Sequence, residues 1–396
     1  MKKTLLALTV AALAAGSAQA YNFHIDETGT DIDFNGSLRL KWESTSNKTN
    51  YEDGSVSKDH INSAVSNNGS RFGFKVKQNL GGDFYALGRV EWRFRDAKNL
   101  GRQNEFGHVY ARQLYAGFGY KHAEKQFSEL TYGNMTTITD EVKRTDLPNT
   151  YSLSDGLLDN AARRATQYTY TAEYDNGDKV RAGVYYGGFS KRNDINVEYV
   201  NDKNATADHR KNVWGVGAIY EHKIDDIQSL SVATGFSRDI FANKANTNTS
   251  FAKNAYSLGA TYTFVNTTYG LDLERQVTKN EGAYGNKRTK NEVRAVVLQK
   301  FNTEWTANKD LNVYAMVAYK TDKRDFVAEN DRKATTRQFM VGTEYYVYKE
   351  GSIKIKPFLE WQATRTTYDN TSGGKYNKKL DRSRDLKTVV GLRAYW

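Results

Sequence analysis

The sequence lacks cysteine, has only two prolines, and contains no long apolar run after its first twenty residues. Without cysteine the chain cannot form disulfides, use a thiol nucleophile or build a cysteine metal site. No segment after residue 20 approaches the roughly 18 apolar residues of a transmembrane helix. The mean hydropathy of −0.74 would therefore classify the chain as water-soluble.

The first twenty residues have the pattern of a secretory signal peptide. Two lysines precede an apolar stretch, and a small-residue cleavage motif ends at Ala20. Cleavage removes two positive charges, so the formal net charge falls from +11 to +11 − 2 = +9. No Pro/Gly/Ser-rich linker divides the remainder. We therefore predict a signal peptide at residues 1–20 and a single domain at residues 21–396.

Aromatic residues are abundant, and they recur with a period of two. The chain contains 27 Tyr, 18 Phe and 6 Trp. Residues 386–396 alternate with an unbroken apolar face, and about sixteen segments show similar alternation, among them residues 84–95, 256–264 and 311–319. A strand with one face in lipid and the other in water averages to polar. The pattern predicts an all-β fold, a transmembrane antiparallel β-barrel of about sixteen strands.

The connections between these segments alternate in length. Short turn motifs alternate with long polar stretches, as in outer-membrane barrels with short periplasmic turns and long extracellular loops. The long stretches lie near residues 45–69, 96–107, 136–162, 191–210, 240–252, 278–290, 322–334 and 367–384. Lipid offers no hydrogen-bond partner to an open sheet edge. We therefore expect residues 386–396 to close the barrel against residues 31–43.

A barrel of this size encloses an aqueous channel, so its inner lining determines what passes. The faces opposite the apolar ones are basic in the first strands, which predicts an arginine wall formed by Arg39, Arg71, Arg89 and Arg112. An ordinary polar lining is the alternative interpretation.

The stretch 136–162 is acidic and contains one of the two prolines, Pro148, which favours a loop of defined shape. We interpret it as a constriction loop folded into the barrel; an extracellular loop with solvated acids is the alternative.

Five segments carry a resemblance to a known family. They are Thr28–Gly36, Asn68–Lys75, Tyr110–Gly117, Leu130–Asn134 and Val390–Trp396. In this order and spacing, the chain resembles the trimeric general diffusion porins of Gram-negative outer membranes, and is most similar to those of the Pasteurellaceae. The resemblance covers essentially the whole chain after the signal peptide.

The resemblance implies that the third loop faces an arginine cluster at mid-height of the barrel. Arg71 and Arg112 match family constriction arginines, and strand parity favours Arg163 over its neighbour Arg164 as a further member. Asp146 matches a loop carboxylate. A second acidic position of the family is Asn149 here, so the resemblance leaves three acids to take that role: Asp140, Glu141 and Asp155.

At the end of the chain, the resemblance implies that Tyr395 and Trp396 close the barrel and belong to the signal read by the assembly machinery. Trp396 stands where phenylalanine is usual in the family. Pro357 falls within a predicted strand, where it should mark a bulge or a missing ladder bond.

The expected function is a non-enzymatic general diffusion channel in the outer membrane of a Gram-negative bacterium. It would pass small hydrophilic solutes and ions with a weak preference for anions, because arginine outnumbers acid at the predicted narrowing. The expected partners are two further copies in a homotrimer, and outer-membrane lipid and lipopolysaccharide. No cofactor, metal or nucleic acid is expected.

The sequence leaves two other functions open. A substrate-specific sugar channel of about eighteen strands would use an aromatic slide, to which Tyr110, Tyr185 and Tyr314 could contribute. An outer-membrane hydrolase would need an acid–base pair at the outer rim, and His209 beside Asp208 is the only histidine placed for it.

Overall fold

The computed structural model describes most of the chain after residue 20. The described residues are 21–51, 54–95, 108–147, 156–158, 163–188, 209–242, 250–281, 286–301, 311–325, 332–372, 375–377 and 382–396. The predicted signal peptide, residues 1–20, lies outside them.

The described residues form one antiparallel sheet of twenty-one strand segments. The strands of the first half are β1 (Tyr21–Ile25), β2 (Thr30–Asn50), β3 (Val56–Asn62), β4 (Ser66–Asn67), β5 (Arg71–Gly81), β6 (Phe84–Arg95), β7 (His108–Ala123), β8 (Gln126–Asn134), β9 (Arg163–Glu173), β10 (Lys179–Gly187) and β11 (His209–Lys223). Those of the second half are β12 (Gln228–Ala242), β13 (Ser250–Phe264), β14 (Thr267–Glu281), β15 (Asn286–Phe301), β16 (Leu311–Asp325), β17 (Arg332–Tyr345), β18 (Tyr348–Glu350), β19 (Ile353–Ser372), β20 (Lys375–Asn377) and β21 (Arg382–Tyr395).

Sixteen of these strands form a closed barrel, which confirms the predicted fold. β2, β5 to β17, β19 and β21 pair successively, and β21 pairs back with β2 from Ser37↔Tyr395 to Asn50↔Arg382. The backbone of Trp396 exchanges two hydrogen bonds with Gly36. Beyond that point β1 pairs with the start of β2, so it continues the line of β21. The expected partners, residues 31–43 and 386–396, therefore do meet.

Side chains alternate between the lipid-facing surface and the barrel interior, as the sequence pattern predicted. In β21, Val390 and Leu392 are exposed on the outer surface, whereas Val389 and Arg393 are buried inside. Outward aromatic rings contact one another across strands, for example Phe339 and Trp361, whose centroids lie 6.2 Å apart. Burial of every second residue explains how a chain of such low mean hydropathy forms a membrane barrel.

The predicted long extracellular loops were drawn too wide. β2 and β3 pair through much of residues 45–69, and β14 and β15 pair across the stretch 278–290 until Glu281 meets Asn286. β16 and β17 likewise extend into 322–334, and β19 and β21 into 367–384. These extensions are polar on both faces, so they carry no alternation of hydrophobicity for the sequence to reveal.

Pro357 lies opposite an irregularity, as expected. The ladder of β19 with β21 runs through it in continuous register. On its other side, Glu344 pairs with Phe358 and Tyr348 with Ile355, so the opposing strand has one extra residue there. A proline, which cannot donate a ladder bond, is tolerated opposite such a bulge.

The connection between β8 and β9 contains one short helix, α1 (Ile138–Glu141). Among the described residues, no helix is long and apolar enough to cross a bilayer.

Candidate functional site

Four of the five predicted arginines lie together on the inner wall, and three of them surround one buried carboxylate. Guanidinium nitrogens of Arg89 and Arg112 lie 2.7 Å and 2.5 Å from the two oxygens of Glu91, and a nitrogen of Arg71 lies at 4.0 Å. Arg39 lies beside Arg71 and Arg112 within electrostatic range. Glu91 is only 3% exposed. Among the described residues it is the one carboxylate that lies within 4 Å of Arg71, Arg89 and Arg112.

A β-bulge turns the side chain of Arg112 toward this cluster. Leu114 and Phe118 of the same strand face lipid, so strict alternation would turn Arg112 outward as well. The register between β6 and β7 shifts instead, because Glu91 pairs with Gln113 and Trp92 with Ala111, which leaves Arg112 unpaired. Bulges of this kind reorient a side chain next to functional sites. The bulge therefore brings Arg112 to Glu91.

Two further arginines extend the wall. Arg93 and Arg393 lie within electrostatic range of Arg39. Arg39 also lies over the ring of Tyr395 at 5.3 Å, and Arg393 lies over the ring of Phe358 at 4.5 Å. Arg393 lies directly opposite Arg39 on the adjacent strand β21, and Arg93 lies directly opposite Arg71 on β6. The sequence analysis did not single them out, because the register that makes them neighbours has no local sequence signal.

The described part of the third connection, residues 135–147 and 156–158, lies against the opposite inner wall. Ile138 and Val142 are fully buried there, and α1 contacts β10, β11 and β12. A Cβ atom at Gly217 would lie 3.0 Å from Cγ1 of Ile138, and one at Gly235 would lie 3.0 Å from Cγ2 of Val142. The two glycines thus let the loop approach the wall closely.

Polar side chains of β14 hold the loop in place. One carboxylate, Asp272, accepts hydrogen bonds from the backbone nitrogens of Arg144 and Thr145, each at 2.9 Å, and from the Thr145 hydroxyl at 2.5 Å. Farther along the loop, the amide of Gln276 donates to the carbonyl oxygen of Leu157 at 2.8 Å. None of these anchors was identified from the sequence, because each bond joins residues more than a hundred positions apart.

The predicted loop acids have different surroundings. Glu141 accepts two hydrogen bonds from Arg181 of β10, at 2.5 Å and 3.1 Å, so it points to the wall. Oδ1 of Asp140 lies 3.8 Å from Nζ of Lys143. Asp146 is exposed. Asp155 and the side chain of Arg163 lie outside the described residues, although Arg163 is the first backbone position of β9.

Between the loop and the short turns lies a chamber of about 760 Å³. Nine charged residues line it, six of them basic and three acidic: Lys143, Arg144, Lys179, Lys223, Lys300, Lys356, Asp146, Glu221 and Glu344. Some of the charges are paired, for example Lys356 with Glu344 at 2.6 Å. The lining has a formal charge of 6 − 3 = +3. The described residues contain no cluster of three or more potential metal ligands.

Comparisons with known proteins agree with this architecture. A family model described as Gram-negative porin matches residues 7–354. The major outer membrane protein of Pasteurella multocida strain Pm70 is 29% identical over 402 residues, covering 94% of this chain and 98% of that protein.

Two solved structures share the fold. OmpT of Vibrio cholerae aligns with a TM-score of 0.56 at 15% identity, covering 94% of this chain and all of that one. An anion-selective porin from Comamonas acidovorans aligns with a TM-score of 0.53 at 13% identity, covering 93% of this chain and all of that one.

Proposed function

Because this chain belongs to the Gram-negative porin family and is an outer-membrane β-barrel channel, we propose that it is a general diffusion porin with a weak preference for anions. It conducts ions and small hydrophilic solutes passively. The observation that carries the proposal is the arginine wall. Arg71, Arg89 and Arg112 surround a single carboxylate, Glu91, and Arg39 lies beside Arg71 and Arg112, so the four arginines and one carboxylate leave a local charge of 4 − 1 = +3.

Arginine keeps its charge at any physiological pH, so the wall is a permanent source of positive potential. The chamber beyond the loop has the same sign, with six basic and three acidic side chains. A passage with low-dielectric walls concentrates the field and raises the local concentration of counter-ions. Anions therefore meet a favourable potential along consecutive parts of the path.

The same field selects against apolar solutes. Fixed charges on the arginine wall and the carboxylate of Asp146 on the loop orient water in the passage. An apolar solute would have to displace this water without replacing its hydrogen bonds. Hydrophilic solutes replace those bonds as they pass, so the channel discriminates by polarity and size.

The proposal includes the biological form of the protein. Residues 1–20 are a cleaved signal peptide, and residues 21–396 are one barrel domain with a constriction loop at about 136–162. The barrel is a homotrimer surrounded by outer-membrane lipid and lipopolysaccharide. Support for the trimer comes from the fold shared with an OmpT whose structure is described as a trimer form.

Reversal potential in a salt gradient across a planar bilayer tests the proposal. The wild-type channel should be weakly anion-selective. The double variant Arg39→Ser/Arg71→Ser should shift the reversal potential toward cations, and it keeps Arg89 and Arg112 as the close partners of Glu91. Arg275→Ser, which removes an exposed cation from the outer surface, is the control and should change nothing. Clear cation preference in the wild type would refute the proposal.

Two observations disfavour the specific sugar channel. The barrel has sixteen strands rather than about eighteen. Tyr185 and Tyr314 are 1% and 2% exposed, and Tyr314 donates a hydrogen bond to Glu360 at 2.9 Å, so neither offers a ring face to a passing sugar. The pair proposed for a hydrolase, Asp208 with the side chain of His209, lies outside the described residues.

A further inference from the structure

Five hydroxyl side chains lie together on the wall of the chamber beyond the loop. They belong to three neighbouring strands, β12, β13 and β14, and all of them line the chamber: Ser229, Ser231, Thr261, Thr263 and Thr268. The strand register pairs Ser229 with Thr263, and Thr263 with Thr268. One step closer to the loop, it pairs Ser231 with Thr261. We refer to these five residues as the hydroxyl patch.

The hydroxyl patch faces the channel, directly on the periplasmic side of the loop. Phe264, the residue after Thr263, is exposed on the lipid-facing surface, so Thr263 points inward. Gly270 lies opposite Thr261, and a Cβ there would be 2.8 Å from the carbonyl oxygen of Arg144. The loop therefore crosses the wall next to the patch. A solute that has passed the loop meets the patch next.

Most of the hydrogen-bonding capacity of the patch is unused within the protein. The hydroxyls of Thr263 and Thr268 lie 3.0 Å apart. The hydroxyl of Ser231 accepts a hydrogen bond from Arg144 at 3.1 Å. The other two members make no side-chain hydrogen bond to a described residue. Each hydroxyl can donate one hydrogen bond and accept two, so the patch offers several donors and acceptors to a solute.

A lysine without a carboxylate partner lies beside the patch. Lys300 lines the same chamber and is exposed. It follows Leu298 by two residues, and Leu298 lies opposite Thr268, so Lys300 is a diagonal neighbour of Thr268 at roughly 7–8 Å between Cα atoms. No carboxylate of the described residues lies within ion-pairing distance of its ammonium group, whereas Lys356 of the same chamber is paired with Glu344 at 2.6 Å. Lys300 is therefore available to an anionic solute.

Two leucines add a small apolar surface at the edge of the patch. Leu298 belongs to a cluster of buried side chains on the wall, and Leu147 of the loop packs against that cluster. Both leucines line the chamber, whose volume of about 760 Å³ lies within the range of small-molecule sites. A monosaccharide has hydroxyl groups at its rim and C–H groups on its ring faces. It can therefore contact the hydroxyl patch and the leucines together.

We propose that the hydroxyl patch and Lys300 bind monosaccharides that carry a carboxylate or phosphate group. The inference rests on the proposed diffusion function, to which it adds a preferred class of solute. The sugar hydroxyls replace water at the patch, and the anionic group pairs with the Lys300 ammonium. A neutral sugar lacks the charged contact, and a simple anion lacks the hydrogen bonds. The site is one wall of an open chamber, so binding is weak and the solute continues on its path.

The test measures solute-induced current noise of the channel in planar bilayers. The salt is about 0.1 M KCl, at which charges are only partly screened. Glucuronate is the probe. Glucose has a similar ring without the charge, and cyclohexanecarboxylate has a six-membered ring and the charge without the hydroxyls. With wild type, glucuronate should cause saturable noise at concentrations at least about tenfold lower than either of the other two solutes.

Two kinds of variant assign the site. Thr263→Val/Thr268→Val removes two central hydroxyls and keeps branched side chains that favour β-structure. It should bind glucuronate about tenfold more weakly, from the loss of two hydrogen bonds. Lys300→Gln should bind glucuronate no better than glucose, and Lys300→Arg should restore the preference.

The matched control is Thr336→Val/Thr366→Val. These two hydroxyls also lie 3.0 Å apart on the inner wall. Their neighbouring cation, Lys320, lies opposite Thr336 and is paired with Glu292 at 3.5 Å, so it is not available to a solute. The control should conduct and bind glucuronate like the wild type.

Equal responses of the wild type to glucuronate and cyclohexanecarboxylate would overturn the inference, because charge alone would then explain the effect. An equal loss of binding in the patch variant and the control would overturn it as well. Heat-modifiable migration checks that each variant folds. Lys300→Gln alters an exposed side chain and tests the site even where the valine pair prevents assembly; unchanged glucuronate binding in it would refute the proposal.

The proposed function is tested separately. The reversal potential of the wild type in a KCl gradient without added solute measures ion preference and does not depend on a bound sugar. Cation preference there would refute the anion-preferring channel, whereas anion preference without a specific response to glucuronate would refute only the sugar site.

Discussion

At the scale of single residues, one carboxylate makes a wall of fixed positive charges tolerable. Glu91 is buried between Arg89 and Arg112 and offsets part of their mutual repulsion. Removal of such a carboxylate would leave uncompensated like charges at close range. The positive charge that Glu91 does not neutralise acts on a passing ion. The stability of the arginine wall and its ion selectivity therefore both depend on Glu91.

A second carboxylate, Asp178, fastens the turn between β9 and β10. The Tyr220 hydroxyl donates to it at 2.7 Å, and Nδ1 of His222 lies 2.7 Å from its other oxygen. These hydrogen bonds, that of Tyr220 first, lower the pKa of Asp178 to about 2. A carboxyl with a depressed folded-state pKa contributes stability above its unfolded pKa and loses it as the pH falls through the folded value.

We therefore expect Asp178→Asn to unfold at a lower temperature than wild type at pH 6, with the difference shrinking between about pH 4 and pH 2. Thermal unfolding followed by circular dichroism across this range is the measurement. Asp225→Asn, an exposed turn residue between the next two strands, is the control. A constant difference between wild type and Asp178→Asn from pH 6 to pH 2 would show that the Asp178 charge contributes nothing.

Residue-level features of the site could be predicted only where alternation holds. Arg39, Arg71 and Arg89 follow the two-residue period of their strands, so the alternation predicted that their side chains face the channel. Arg112 faces inward only because of a bulge, which alternation does not reveal, so its place in the wall was supported by the family resemblance of Tyr110–Gly117 and not by the period of its strand. Glu141 is acidic in the predicted loop, yet its pairing with Arg181 depends on how the loop lies on a distant strand. Local periodicity contains no information about such tertiary pairs.

At the scale of elements, the third loop and its wall are complementary surfaces. The wall is smooth where the loop crosses it, because Gly217 and Gly235 have no side chain, and the loop presents Ile138 and Val142 to these positions. The sequence shows that both glycines lie on inward faces of their strands. It does not show that they form one smooth patch, because that depends on the strand register, which places Gly217 opposite Gly235.

We expect Gly217→Val to displace the loop. The new side chain would overlap Ile138 and Val142, and overpacking of this kind costs about 1–3 kcal/mol. The strand itself should persist, since valine favours β-structure. Single-channel conductance should therefore change, with added current noise, while heat-modifiable migration on gels stays that of a folded barrel.

Gly88→Val is the control for this substitution. A Cβ at Gly88 would meet only a backbone oxygen of Tyr115 at 3.6 Å, which is an ordinary contact. Its conductance should equal that of the wild type. An unchanged conductance in Gly217→Val as well would mean that the loop does not set the narrowest part of the channel.

At the scale of the whole molecule, the barrel is complete only when its first and last strands meet. β21 pairs with β2 over fourteen registered positions, and the pairing continues to Trp396. The alternation of the last eleven residues was sufficient to predict this closure. It was not sufficient to predict β1, whose five residues extend the line of β21 on the other side of Trp396.

Deletion of Tyr395 and Trp396 should block assembly of the barrel. It would remove both backbone hydrogen bonds between Trp396 and Gly36, together with the ring of Tyr395 that lies under Arg39. The seam between β21 and β1 would then open in lipid, where an unpaired backbone group costs several kcal/mol. The truncated protein should be absent from the outer-membrane fraction and should not show heat-modifiable migration.

Trp396→Phe is the matched control, because it keeps the backbone bonds and an aromatic ring. The Trp396 ring covers Gly36, where a Cβ would lie 2.5 Å from its Cζ2 atom, and the smaller phenyl ring fits over the same glycine. This variant should assemble like the wild type. Normal assembly of the truncated protein would show that β1 alone can complete the last strand, and loss of assembly in Trp396→Phe would show that the indole itself is required.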